Sequence, residues 1–185
     1  MEPVAAIDYE TEPAPGRLEL VRAFANTVDP EHGREAMHSQ AQLRDLLVSL
    51  GLLAEGARVT SNDLAAALDL RDRIRALALA NNGVPTDVSL EAELVVRVDD
   101  GGGALQAPAH DVDGALGELV GIVYTATVDG TWPRLKACRR DVCRWLFYDR
   151  SRNRSGVWCS MAVCGNRTKT ASYRSRATRD RKSVV

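Results

Sequence analysis

Four cysteines constrain this 185-residue chain more than any other feature, and they are the only four it has. They stand at Cys138, Cys143, Cys159 and Cys164, as two Cys-x4-Cys pairs separated by fifteen residues. Two short-spaced pairs joined by a loop are how small zinc domains supply four thiolates to a tetrahedron. The fifteen-residue insert is expected to fold as a hairpin that brings the pairs together. Arg139, Arg140 and Arg144 would favour the thiolate form. Two disulfides and a redox switch that ejects the metal remain open beside a closed four-cysteine Zn²⁺ site. The N-terminus has no basic-then-apolar leader, which disfavours disulfides and predicts a cytoplasmic protein. No apolar run is long enough to span a membrane, so no membrane partner is expected.

The formal net charge of −1 conceals a segregation. Residues 1–130 carry 9 Lys+Arg against 22 Asp+Glu, and residues 131–185 carry 15 against 3. The first part is therefore near −13 and the second near +12. A basic segment of this kind points to phosphate-bearing partners.

Apolar spacing predicts the architecture. Leu18, Val21, Phe24 and Ala25 suit a short helix over 17–25, followed by a polar loop from Val28 to His38. Leu43, Leu46, Leu47 and Leu50 line one face of a helix over 39–50, with Ser39 and Gln42 as a capping box. A longer helix, capped by Ser61 or Asn62, carries a stripe through Leu64, Ala67, Leu68, Ile74, Leu77 and Ala78. Arg71, Asp72, Arg73 and Arg75 fall largely off that stripe, and Asn81-Asn82-Gly83 ends the helix. Leu90–Val98 and Ala104–Ala107 read as a hairpin around Asp99-Asp100-Gly101-Gly102-Gly103. A last helix is expected over 112–126. The predicted fold is mainly α with a small β-hairpin. A flexible arm (1–15) precedes a helical domain (16–130, hairpin near 90–107) and a small zinc-ribbon or treble-clef-like finger (131–185).

The residues around the cysteines carry a resemblance. Cys143-Arg144-Trp145-Leu146-Phe147-Tyr148-Asp149-Arg150 is followed by Trp158-Cys159-Ser160-Met161-Ala162-Val163-Cys164-Gly165-Asn166-Arg167. This resembles the CGNR-type zinc finger, named for Cys164-Gly165-Asn166-Arg167, over roughly residues 130–178. The remainder resembles the ABATE-type helical domain that usually precedes that finger. Leu20–Asp29 matches its opening through Phe24-Ala25-Asn26-Thr27, with departures at Arg22 and Ala25. The resemblance implies a Zn²⁺ ion on the four cysteines and a bacterial, stress-linked transcription regulator.

Trp145, Phe147 and Trp158 are expected to shield the metal. Asp149 is expected to form an ion pair or a turn hydrogen bond. Arg150, Arg152 and Arg154 alternate, so on an extended segment they would project to one side and straddle phosphates. Gly165 would let nearby backbone amides reach thiolate sulfur, and Asn166 would cap the following helix or reach a base edge. Arg167, Arg174 and Arg181 recur every seven residues, with Lys169 and Arg176 in an adjacent row, along a basic helix. These predict nucleic-acid binding, DNA in preference to RNA, with a protein-interaction adaptor as the alternative. The helical domain would sense a small effector, dimerise or bind a protein; a pocket lined by Phe24, Asn26 and Arg75 would suit an effector. No residue pattern suggests catalysis: His32, His38 and His110 lie far from the cysteines, and a four-cysteine site has no open coordination position.

Overall fold

The computed structural model describes residues 11–170. Its elements are mainly helical, with three two-stranded antiparallel pairs. Helix α1 (Leu18–Ala25) buries Leu18, Val21, Phe24 and Ala25, the face that its spacing predicts. The expected polar loop contains a small pair, β1 (Val28–Asp29) with β2 (Arg34–Glu35).

Helix α2 (Gln40–Ser49) starts at Ser39, whose hydroxyl accepts from the Gln42 amide at 3.3 Å. The return arm of the capping box lands one residue early: Gln42 Oε1 accepts from the His38 amide at 2.9 Å. Helix α3 (Ser61–Ala80) is capped by Thr60, not by Ser61 or Asn62. Thr60 has an acid three residues on, so two orphan amides are satisfied reciprocally: Thr60 N–H donates to Asp63 at 2.7 Å, and Asp63 N–H to the Thr60 hydroxyl at 3.2 Å.

The buried face of α3 is Ala67, Leu70, Arg71, Ile74 and Ala78. Arg71 therefore lies on the stripe rather than off it. Its guanidinium is buried because Glu35 accepts from it at 2.6 and 2.8 Å, which offsets the desolvation of the charge.

Strands β3 (Val95–Asp99) and β4 (Gly102–Gln106) form the expected hairpin, paired from Val95↔Gln106 to Asp99↔Gly102. The first strand starts later than Leu90, because Leu90 packs on the helical core instead of joining a ladder. Helix α4 (Val112–Val128) runs two residues past the expected end, and Asp111 caps it by accepting from the Gly114 amide. No helix among the described residues is long and apolar enough to cross a membrane.

The four helices share one apolar core through Phe24, Leu43, Leu47, Ile74 and Leu119. That core continues past residue 130, where the charge changes sign. A 3-10 turn (Trp132–Arg134) leads into β5 (Leu135–Ala137), which pairs antiparallel with β6 (Leu146–Tyr148). Trp132, Leu135, Ala137 and Leu146 all belong to the helical core.

Three asparagines complete this docking. Asn26 pairs with Leu146 as a strand would, donating to its carbonyl at 2.9 Å and accepting from its amide at 2.8 Å. Asn81 donates to the carbonyls of Trp132 and Leu135, both at 2.9 Å. Asn82 donates to those of Ala137 at 2.8 Å and Val157 at 3.0 Å. Replacing Asn82, which is buried, removes a donor from the Ala137 carbonyl and leaves the Val157 carbonyl with the Arg139 amide alone. Asn82→Ala is expected to cost about 1–3 kcal/mol in urea unfolding and to speed amide exchange around Val157.

Candidate metal centre and basic surface

The first cysteine pair sits in the loop of the β5–β6 hairpin. Cys138 follows β5, and its amide donates to the Trp145 carbonyl at 2.9 Å. The chain turns back at Arg140, whose carbonyl accepts from Cys143 and Arg144 amides, and Arg144 takes a left-handed φ of 52°. The fifteen-residue insert is thus not a hairpin of its own. Its first strand pairs with residues ahead of Cys138, because Leu135 and Leu146 must both reach the helical core.

The rest of the insert is tied down by Asp149. Its carboxylate, buried, accepts from Lys136 Nζ at 2.7 Å and from the Ser151 and Gly156 amides, each at 2.9 Å. Lys136 also donates to the carbonyls of Arg154 at 2.6 Å and Gly156 at 3.1 Å. Burial would raise the Asp149 pKa, but Lys136, Ser151 and Gly156 outweigh it and hold it near 2. The expected ion pair exists, yet its partner is Lys136 rather than a neighbouring arginine. Only glycine fits at 156: a Cβ there would lie 2.9 Å from the Asp149 carboxyl carbon.

The second pair is set by a π turn (Met161–Gly165). The Ser160 hydroxyl accepts from the Val163 amide at 3.3 Å, and the Ser160 carbonyl from the Gly165 amide at 3.0 Å. Gly165 therefore serves the turn and not a thiolate; a Cβ there would meet Met161 Sδ at 2.8 Å. The amides that reach sulfur belong to Arg140 and Cys159, on Cys138, and to Trp145, on Cys143.

All four Sγ atoms lie within 4.8 Å of one another, and the Cys143–Cys159 and Cys159–Cys164 separations are both 3.6 Å. The four cysteines are free thiols. A disulfide would bring sulfurs to about 2.05 Å. Four sulfurs about 2.3 Å from a common ion stand about 3.8 Å apart in a tetrahedron, so the observed spacing fits an ion and not a bridge. Cys138, Cys143 and Cys164 are buried, and Trp145, Trp158 and Val163 pack around the cluster. Phe147 is buried but stands outside it.

Hydrogen bonding within the cluster shifts three of the thiols in different directions. Hydrogen bonds from Cys143 and Cys159 hold Cys138 far below the usual thiol range, near 2. The same hydrogen bond pushes Cys143 up to about 12, and Cys159 is pushed up by Cys138, Cys143 and burial. Four thiolates this close together repel one another, and a multivalent cation offsets that repulsion.

The predicted nucleic-acid residues divide into three groups. Arg150, Arg152 and Arg154 do not lie on an extended segment. The Arg154 amide donates to the Ser151 carbonyl at 3.2 Å, and Arg154 has a φ of 52°, so the stretch turns and its side chains do not share one side. Arg150 is engaged by the arm, with Glu12 at 2.7 Å and the Pro13 carbonyl at 2.7 Å, and stacks over Tyr148 at 5.5 Å. Asn166, Arg167 and Lys169 open a helix that the described residues follow to Thr170. The Asn166 side chain donates to the Ala162 carbonyl at 3.2 Å, tying the helix to the π turn instead of capping it. Arg167 binds Glu31 at 2.6 Å. Arg174, Arg176 and Arg181 lie outside the described residues.

Phe24, Asn26 and Arg75 each have another partner among the described residues. Phe24 fills the core, Asn26 holds Leu146, and Arg75 donates to the Ala25 carbonyl at 2.9 Å. Burial, and then Arg71, lower Arg75 to about 10. Open cavities lie elsewhere: one of about 500 Å³ is bordered by Arg73, Glu93 and Asp113, and one of about 740 Å³ by Leu18, Val96 and Ile122. Sequence reasoning missed Glu31, Lys136, Asn81 and Asn82, whose partners are distant along the chain or, for Lys136, across a hairpin.

A family model described as "Putative stress-induced transcription regulator" (ABATE) matches residues 18–135, and one described as "CGNR zinc finger" matches residues 134–177. Comparison with curated proteins finds no match. With well over half of its length inside the first model and its cysteine cluster inside the second, the chain belongs to the ABATE family and carries a C-terminal CGNR zinc finger.

Proposed function

We propose that the protein is a Zn²⁺-dependent, nucleic-acid-binding transcription regulator of the bacterial cytoplasm that acts by binding rather than catalysis. Cys138, Cys143, Cys159 and Cys164 would hold the ion, which when bound neutralises the thiolates and crosslinks the two cysteine pairs. The supporting observation is that the basic helix follows directly on the cysteine cluster. Helix residue Thr168 donates its hydroxyl to the Cys164 carbonyl one turn earlier at 2.9 Å, so the helix carrying Arg167 and Lys169 continues directly from the second pair. Lys169, Arg152 and Arg154 are exposed and form no ion pair among the described residues. Each would be available to backbone phosphates, and Arg174, Arg176 and Arg181 extend the basic sequence.

The test is fluorescence anisotropy of the zinc-loaded protein with random duplex DNA and with single-stranded RNA across a salt series. The expected result is duplex binding whose log affinity falls linearly with log salt, weakened by Lys169→Ala with Arg152→Ala. A second reading, an adaptor for an acidic protein, is favoured by the carboxylates of Glu12 and Glu31 already seated on finger arginines. Absence of nucleic-acid binding at low salt would support that reading.

A further inference from the structure

Glu31 stands on the four-residue loop between β1 and β2. The loop is set by the buried Asp29, whose Oδ1 accepts from the amides of Glu31 at 3.1 Å and His32 at 3.3 Å. From it the Glu31 carboxylate reaches the finger with both oxygens. Oε2 accepts from Arg140 Nη1 at 2.5 Å, and Oε1 from Arg167 Nη1 at 2.6 Å. Glu31 is 12% exposed, Arg140 20% and Arg167 56%. Arg140 comes from the first cysteine loop, and Arg167 from the helix behind the second pair. The two guanidiniums therefore converge only when the finger is assembled.

Two guanidiniums converging on the oxygens of one anion form a phosphate-binding arrangement. A phosphodiester, like the carboxylate, presents two anionic oxygens on one centre. We infer that Arg140 and Arg167 form a phosphodiester-binding site whose internal occupant is the Glu31 carboxylate, so that nucleic acid must displace Glu31 to bind there. This rests on the nucleic-acid reading above and adds to it a competitor supplied by the acidic body. It also gives the charge segregation a local contact: the acidic part covers the basic part at a defined pair of arginines. The loop geometry makes the competition effective, because Glu31 is presented by an ordered turn and needs little further ordering.

The experiment compares full-length, zinc-loaded wild type with Glu31→Gln, which keeps the side chain's shape and removes its charge. The first probe is a short random-sequence DNA duplex in a salt series, and the second is inorganic pyrophosphate followed by thermal shift. Glu31→Gln is expected to bind duplex about ten-fold more tightly at low salt, with a salt slope steeper by about 1–2, as two freed arginines add phosphate contacts. Adding Arg140→Gln to Glu31→Gln should cancel the gain. Glu31→Asp keeps the charge but is one methylene short of bridging both arginines; it too should bind more tightly than wild type. This second variant carries the test should Glu31→Gln fold poorly. Unchanged or weaker duplex binding by variants that retain one zinc per chain would overturn the inference. Should no variant bind duplex while Glu31→Gln alone gains stability from pyrophosphate, the anion site stands and the nucleic-acid reading falls. No gain with either probe removes the site.

Discussion

Chelating the metal from the zinc-loaded protein is expected to release residues 158–170 and to leave folded the helical body and the loop held by Lys136, Asp149 and Asn82. Structural zinc sites supply on the order of 10 kcal/mol to the folding of the segment they close. Apart from the Glu31–Arg167 contact, the second cysteine pair is held by the cluster: Val163 and Trp158 pack on the cysteines themselves. The first pair is different. Its hairpin inserts Leu135, Ala137 and Leu146 into the helical core, and Asn26, Asn81 and Asn82 hold its backbone. The chain's three tryptophans report the two regions separately. Trp132 belongs to the helical core, whereas Trp145 and Trp158 pack at the cysteines. Fluorescence with single Trp→Phe variants should show Trp145 and Trp158 becoming solvent-exposed on chelation while Trp132 stays buried. Helical circular dichroism should fall only slightly. Cooperative loss of all helical signal would mean that the body depends on the finger, and no change at any tryptophan would mean that no metal organises it.

Lys136→Met is expected to destabilise the protein by about 3–5 kcal/mol, the largest effect predicted for one substitution outside the cysteines. Among the described residues the ammonium is the one cation paired with the buried Asp149 carboxylate, and it also orders the loop through the Arg154 and Gly156 carbonyls. Methionine keeps the volume and leaves a buried negative charge with neutral donors alone, from Ser151 and the Gly156 amide. The sign of the pH dependence follows from Asp149 being held near 2, below its unfolded range. Its contribution, about 2 kcal/mol, is fully present above pH ~4 and is lost as the pH falls through about 2. Urea unfolding at neutral pH therefore measures the full deficit. A loss under about 1 kcal/mol would mean that the Lys136–Asp149 pair is not what orders the insert.

The cysteine cluster was legible in the sequence because its signal is local: two spacings and a donor type. Helix faces were legible for the same reason, since Leu18, Val21 and Phe24, or Leu43, Leu46 and Leu47, repeat with the helical period. Contacts that join the finger to the body were not. Asn81 and Asn82 read as a helix stop, and their amides satisfy carbonyls more than fifty residues away. Asn26 read as a ligand contact because nothing local shows that Leu146 lies opposite it. Arg71 read as surface because a charge on an apolar face is credible only once Glu35 is known to meet it. The alternating arginines misled because alternation implies one side only on an extended backbone, and the turn closed by Arg154 breaks it. Glu31 had no signal at all among 22 acids in the first 130 residues; only the fold brings it to Arg140 and Arg167.

The most direct measurement is X-ray absorption at the zinc edge on the purified protein, paired with metal stoichiometry. The account predicts one zinc per chain with four sulfur neighbours at about 2.3 Å and no nitrogen or oxygen in the shell. Fewer than four sulfurs, a nitrogen or oxygen ligand, or a folded finger without bound zinc would contradict it.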